Sequence, residues 1–186
     1  GMPHEIVDVA RDADGSIPSW FLSINSRGEV PALALPDGTV MTESAAIMIH
    51  LADMTPRAGL APAITAPQRP SYLRWMVYLA AAPYTSDLRL YYPDRYSTDA
   101  SHAPQIKAKA EADYGRDMDY LAAGLGKGPF ILGDTMSAVD IYAAMLMSWA
   151  PDFGILMQQQ PRLKSVYDAV AANAAIRSVW DRNGMP

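Results

Sequence analysis

The sequence predicts a two-domain α+β protein in which a small domain of strands and helices precedes an all-helical domain. Within residues 28–53, a short apolar run, a Pro-Asp-Gly turn signal and a second short run predict an antiparallel hairpin that leads into a helix. Residues 55–66 carry two prolines and a glycine and predict a linker. Beyond it, apolar residues recur at helical spacing. The two domains are therefore expected at residues 1–54 and 67–186.

Composition and charge exclude several classes of function. Half of the 186 residues are hydrophobic, which is enough for a core, and the net charge of −5 comes without a basic tract. Neither nucleic acid nor an anionic membrane surface is therefore expected as a partner. The sequence has no cysteine, which excludes disulfides, cysteine nucleophiles and thiolate metal sites. The histidines, His4, His50 and His102, form no metal-binding pair, so no metal is expected.

The sequence contains no segment with the pattern of a signal peptide or a membrane span. Its most apolar stretch, residues 138–150, contains Asp140 and is too short to cross a bilayer. A soluble, cytoplasmic protein is therefore expected.

The N-terminal domain is expected to contain short elements joined by turns. Apolar and polar residues alternate in residues 5–10, which favours a strand. Ile47 and Leu51 lie one helical turn apart, which favours a helix. The predicted elements are a strand at residues 5–10, a brief helix at 19–22, hairpin strands at 32–35 and 39–41, and a helix at 44–53.

The start of that last helix is a candidate anion site. Thr42, Glu43 and Ser44 bring hydroxyls and a carboxylate to the end of the helix where backbone N–H groups lack intrahelical partners. A helix N-terminus of this kind attracts small anions. The alternative is that Thr42 or Ser44 only caps the helix.

The C-terminal domain is expected to consist of helices separated by prolines and glycines. Pro83 should kink or end the first of them, and residues 174–176 mark a short turn or helix near the end of the chain. The predicted helices span residues 67–82, 87–92, 101–125, 138–149 and 163–182.

Ser137 and Asp140 form a predicted capping box at the start of the apolar helix 138–149. Ser137 stands at the N-cap and the carboxylate of Asp140 follows three residues later. The helix is apolar nearly all round, which is typical of a buried central helix. We therefore expect Asp140 to stabilise the fold and to have no part in catalysis.

Two sequence motifs together resemble the glutathione transferase family. The first joins Asn25-x-x-Gly28-x-Val30-Pro31 to the helix start Thr42-Glu43-Ser44-Ala45-Ala46-Ile47, and the second is the capping box with Asp140. The resemblance implies a thioredoxin-like glutathione-binding domain followed by an all-α domain. It spans most of the chain, although outside these motifs it consists mainly of helix order and length.

The resemblance also implies roles for four residues in holding glutathione. In the family, the backbone of the residue before a cis-proline pairs with the cysteinyl part of glutathione, a role that falls on Val30 with Pro31. Glu43 would receive the γ-glutamyl ammonium, and the Ser44 hydroxyl with the helix N-terminus would receive its carboxylate.

The first strand and first helix of the family have no counterpart in this chain, because residues 4–10 align with the family's second strand. In the family, the loop after the first strand supplies the Tyr, Ser or Cys that activates the thiol, so no catalytic residue is named here. Three explanations stay open: a gene start placed too late, a naturally shortened relative, or another segment in the place of the first strand.

The function implied by the resemblance is conjugation of glutathione to a small hydrophobic electrophile, as in detoxification, by a homodimer. The alternatives are a non-catalytic glutathione-binding or protein-interaction module, and a glutathione-dependent isomerase, dehalogenase or peroxidase. In the family, the region after Pro83 lines the pocket of the electrophile, which makes Tyr91, Tyr92, Arg95 and Tyr96 candidates. The alternative for these aromatic residues is packing in the core.

Overall fold

The computed structural model describes residues 2–186, and the chain divides after His50 into two compact units. We refer to them as the N-terminal unit and the helical unit. The first contains α1 (Ser19–Ile24), β1 (Leu33–Ala34), β2 (Val40–Met41) and the start of α2 (Ser44–Met54).

The predicted hairpin is confirmed, and its strands are shorter than expected. Leu33 pairs with Met41 and Ala34 pairs with Val40 in antiparallel register. The turn between them uses Gly38 at a φ of 86°, where a side chain is disfavoured, and the Asp37 carboxylate accepts the Thr39 N–H at 2.9 Å. The local sequence thus determines this turn.

The strand expected at residues 5–10 is wrong. No backbone hydrogen bond joins this segment to any other described residue, and the side chains of Ile6 and Val7 are 60% and 61% exposed. Alternation favours an extended chain, but a strand forms only where a neighbouring strand completes its hydrogen bonds.

The helical unit follows the predicted order with one added helix. The helix predicted at 163–182 is divided after Ala171, and the one predicted at 87–92 begins at Pro83. The chain breaks at Pro83 between the first two helices, as predicted, and an unpredicted helix begins after Asp152, whose carboxylate accepts the Ile155 N–H at 2.8 Å. The helices are α3 (Arg69–Ala81), α4 (Pro83–Tyr91), α5 (Ala103–Ala123), α6 (Ala138–Ser148), α7 (Phe153–Gln159), α8 (Pro161–Ala171) and α9 (Ala174–Arg182).

Helix α6 lies at the centre of the helical unit, as its apolar sequence predicts. It packs against α3, α7 and α8, while α4 packs against α5. The residues of α6 that are fully buried include Val139, Tyr142, Ala143, Ala144, Leu146 and Met147. Their burial supplies much of the hydrophobic stabilisation of this unit.

The capping box at the start of α6 is confirmed and extended. The Asp140 carboxylate accepts the Ser137 N–H at 2.7 Å and its hydroxyl at 2.9 Å, and also the Ile131 N–H at 2.7 Å. The side chain is fully buried, and burial raises its pKa. Asp140 thus fixes the preceding loop as well as the helix end.

Replacing Asp140 by alanine is expected to lower the free energy of unfolding by about 2–4 kcal/mol, since two buried N–H groups lose their acceptor. A cap alone is worth about 1 kcal/mol. Ser137→Ala, which keeps both N–H bonds of Asp140, should cost about 1 kcal/mol. Urea unfolding monitored by circular dichroism measures both, and equal losses would contradict the role given to the Ile131 contact.

Candidate functional site

The hairpin register brings the two halves of the predicted glutathione motif to one end of the N-terminal unit. Because Leu33 lies opposite Met41, the antiparallel chains place residue 31 across from residue 43 at the open end of the hairpin. The pair Val30–Pro31 and the pair Glu43–Ser44 therefore lie at the same end.

The Val30–Pro31 peptide bond is cis, as the resemblance implies. The Val30 side chain is 62% exposed, and Pro31 is exposed as well. These residues precede β1, so their backbone lies at the solvent-facing end of the hairpin.

Asn25 is a supporting residue to which the sequence gives no separate role. It is buried, its side-chain amide donates to the Glu29 carbonyl at 2.7 Å, and its side-chain oxygen accepts the Arg27 N–H at 3.2 Å. Gly28 continues this turn at a φ of 64°. The turn therefore fixes the backbone directly before Val30. In the sequence, the signal for this turn is an asparagine three residues before a glycine.

Glu43 adopts a backbone conformation that is unusual for its residue type. Its φ is 69°, in the left-handed region that favours glycine, and its carbonyl accepts the Ile47 N–H at 2.9 Å. Its side chain is exposed, and Ser44 begins α2 with a half-buried side chain. Such a conformation in a non-glycine residue is often found at ligand sites.

Charged side chains of both signs lie near this end of the hairpin. Arg27 forms a bidentate ion pair with Glu29 at 2.7 and 3.1 Å. The hydrogen bond to Glu29 raises the pKa of Arg27, and the charge of Glu43 adds a smaller effect in the same direction. A zwitterionic ligand would meet a cation, a carboxylate and a helix N-terminus here.

The four candidates for the electrophile pocket lie together in the helical unit. Tyr91 ends α4, and Tyr92, Arg95 and Tyr96 continue into a 3₁₀ turn, Pro93–Tyr96. The three tyrosines are 44–52% exposed, so the expectation that they pack in the core is wrong. The Tyr91 hydroxyl donates to the Trp149 carbonyl, which joins the end of α4 to the end of α6.

A separate cavity of about 400 Å³ lies within the helical unit and contains none of the predicted site residues. It is lined by the linker, including Pro62 and Gln68, and by residues 132–137 before α6. Within residues 2–186, no group of three or more His, Cys, Asp or Glu side chains is placed to hold a metal ion. Over the same residues, no helix is both long and apolar enough to cross a membrane.

Comparison with protein families matches residues 1–54 to the model described as "Glutathione S-transferase, N-terminal domain". The GST-like protein YncG of Escherichia coli (strain K12) is 28% identical over 184 residues, which cover 98% of this chain and 87% of that protein. The matched family segment includes the whole predicted glutathione motif.

Solved structures of similar proteins share the fold of most of this chain. A glutathione transferase homologue from Sulfitobacter with bound glutathione superposes with a TM-score of 0.81 at 27% identity, covering 91% of this chain and 80% of its own. A sphingomonad glutathione S-transferase complexed with glutathione gives a TM-score of 0.77 at 28% identity, covering 96% and 84%.

Proposed function

Because the chain belongs to the glutathione S-transferase family, we propose that it binds glutathione at the open end of the hairpin and adds the thiol to a small electrophile. The observation that carries this proposal is the register of β1 and β2. It gathers an exposed backbone segment, a carboxylate and a helix N-terminus at one end of the N-terminal unit.

The proposed contacts match each part of glutathione to a chemically suitable group. The backbone of Val30 pairs with the cysteinyl unit as an added strand would. The Glu43 carboxylate accepts the γ-glutamyl ammonium, while the Ser44 hydroxyl and the N-terminus of α2 receive the γ-glutamyl carboxylate. The ammonium thus faces a carboxylate, and the γ-glutamyl carboxylate faces a hydroxyl donor and the positive end of the helix dipole.

The reaction needs a group that stabilises the glutathione thiolate, and we assign that role to no residue of the described N-terminal unit. A non-catalytic glutathione-binding protein of the same family is therefore the second candidate function. Either function is proposed for a homodimer, the arrangement that the resemblance implies.

Calorimetric titration of the full chain with reduced glutathione tests the binding site. Ser44→Ala and Glu43→Gln are each expected to weaken binding roughly tenfold or more, since each removes a charge-assisted hydrogen bond. Glu5→Gln is the matched control, because Glu5 is an exposed carboxylate of the same unit, and should leave affinity unchanged.

The Glu43→Gly variant tests the role of the Glu43 side chain in glutathione binding separately from its effect on folding. Glycine adopts the φ of 69° without the penalty of a side chain, so the variant should be as stable as the wild type or more stable by about 1 kcal/mol. It should nevertheless lose affinity as Glu43→Gln does. A folded Glu43→Gly or Ser44→Ala protein with wild-type affinity would refute the assignment.

A further inference from the structure

The cavity of about 400 Å³ in the helical unit lies between the linker and the loop that precedes α6. We call it the linker cavity. Half-buried apolar side chains contribute much of its lining, and these include Pro62, Leu132 and Met136. A volume of this size with a largely apolar lining is typical of pockets that take a small organic molecule.

Hydrogen bonds fix the linker wall of the cavity. The Ala138 N–H donates to the Leu60 carbonyl at 2.8 Å, which joins the linker directly to the start of α6. The Arg69 guanidinium donates to the Pro62 carbonyl at 3.2 Å. This wall is therefore held at both of its ends by contacts within the helical unit.

The opposite wall is also fixed. Phe130 and Gly133 exchange two backbone hydrogen bonds, at 3.0 and 3.1 Å. Gly128 packs directly against this turn, because a Cβ there would overlap the Gly133 carbonyl and lie 2.7 Å from a carboxylate oxygen of Asp134. A ligand therefore meets two pre-formed walls, which lowers the ordering cost of binding.

Three exposed polar side chains also line the cavity: Gln68, Asp134 and Thr135. Within residues 2–186, none of these side chains takes part in a hydrogen bond or an ion pair. An amide, a carboxylate and a hydroxyl are therefore available to a ligand. Asp134 is the one charged residue among the described residues that line the cavity.

The charge of the cavity favours a cation over an anion. A helix N-terminus such as the start of α6 can attract anions. However, the Ser137 N–H already donates to the buried Asp140 carboxylate at 2.7 Å, and the Ala138 N–H is used by the linker. The free carboxylate of Asp134 therefore determines which charge a ligand should carry.

We propose that the linker cavity binds a small organic ammonium ion, with the ammonium on the Asp134 carboxylate and an apolar body against Leu132 and Met136. An aromatic body suits this lining, because a methionine thioether makes favourable contacts with aromatic rings. The proposal is independent of glutathione binding, since the linker cavity belongs to the helical unit and the proposed glutathione contacts belong to the N-terminal unit.

Calorimetric titration of the full chain with tryptamine and with tryptophol, its neutral alcohol analogue, tests the role of charge. Tryptamine should bind roughly fivefold more tightly, because it adds an ion pair at an exposed carboxylate. Asp134→Asn should reduce this ratio to about one. Glu111→Gln, which removes an exposed carboxylate outside the cavity, should leave the ratio unchanged.

A steric variant tests the location of the site. Ala66 is a half-buried lining residue, so Ala66→Leu should fill part of the cavity and weaken binding of both compounds roughly tenfold or more. Ala63→Leu is the matched control, because Ala63 lies in the same linker, is exposed and does not line the cavity. This variant should keep the wild-type affinities.

Equal wild-type affinities for tryptamine and tryptophol would overturn the proposal, as would absence of binding by both or an unchanged ratio in Asp134→Asn. Equal effects of Ala66→Leu and Ala63→Leu would place the compounds elsewhere and overturn it as well. Circular dichroism shows which variants are folded, and Asp134→Asn at its exposed position keeps the test available if Ala66→Leu is not. A wild type that prefers tryptamine and does not bind glutathione refutes only the proposed function.

Discussion

Replacing Asp87 by leucine is expected to stabilise the helical unit by about 5 kcal/mol at pH 9 while changing its stability far less at pH 4. Asp87 lies in α4 and is 3% exposed. Both of its carboxylate oxygens are buried without a hydrogen-bond partner among the described residues. A charged carboxylate in this position is costly, since no donor among the described residues replaces the hydration that it loses on burial.

The direction of the pH effect follows from the pKa of Asp87. Burial, with a smaller contribution from the nearby charge of Asp117, raises it from 3.8 to about 8. Between these two values, the folded chain holds the proton that the unfolded chain has lost. The contribution of Asp87 to stability therefore falls as pH rises from about 4 to about 8 and does not change further above that range.

The groups around Asp87 give no compensating cation. Ser86 donates its hydroxyl to Asp117 at 2.9 Å, and Arg89 donates to Ser86 at 3.2 Å and pairs with Asp113. Burial also raises the pKa of Asp117. Arg89 thus belongs to a network with Ser86, Asp113 and Asp117. The hydrogen bonds and ion pairs of this network do not include Asp87.

Thermal unfolding of the wild type and Asp87→Leu from pH 4 to pH 9 measures the effect. Asp87→Asn should lose the same pH dependence and gain less stability, because its amide is also buried without a partner. Asp94→Asn, at an exposed position of the same unit, should keep the wild-type profile. Parallel pH profiles for wild type and Asp87→Leu would show that Asp87 does not titrate as inferred.

Elements determined by neighbouring residues could be predicted from the sequence. The hairpin turn depends on Asp37 and Gly38, and the start of α6 depends on Ser137 and Asp140, so each pattern is complete within a few residues. The break at Pro83 is equally local. These features were predictable because their hydrogen bonds close within one turn.

Features that depend on distant residues could not be predicted in this way. The alternation in residues 5–10 indicates an extended chain, but the sequence does not show whether a second strand is present to pair with it. The burial of Asp87 likewise depends on packing of α4 against α5. A polar residue on a helix gives no local sign that its side chain will be buried.

The candidate site was predictable to different degrees in the two units. The motif around Val30 and Ser44 is contiguous with the hairpin, so the sequence identified the two together, and the structure adds the register. For the aromatic residues at the end of α4, the sequence did not distinguish a buried from an exposed position, because helical spacing alone does not predict solvent exposure. The structure places Tyr91 and Tyr96 at the surface.

Arg69→Ala is expected to lower the free energy of unfolding of the helical unit by about 3–5 kcal/mol. Arg69 begins α3 with its side chain 10% exposed, and it donates to both oxygens of Asp53 at 2.6 and 2.7 Å and to the Pro62 carbonyl at 3.2 Å. The truncation leaves a partly buried carboxylate and a carbonyl without this donor.

Urea unfolding of Arg69→Ala, Asp53→Asn and the double variant separates the contribution of the ion pair from the other contributions to the lost free energy of unfolding. Asp53→Asn should cost less than Arg69→Ala, since the Asp53 side chain is 32% exposed and Arg69 keeps its bond to Pro62. Arg69→Lys should fall between the wild type and Arg69→Ala, because an ammonium replaces the planar fork with a point charge. Additive losses in the cycle would mean that the two charges do not stabilise each other.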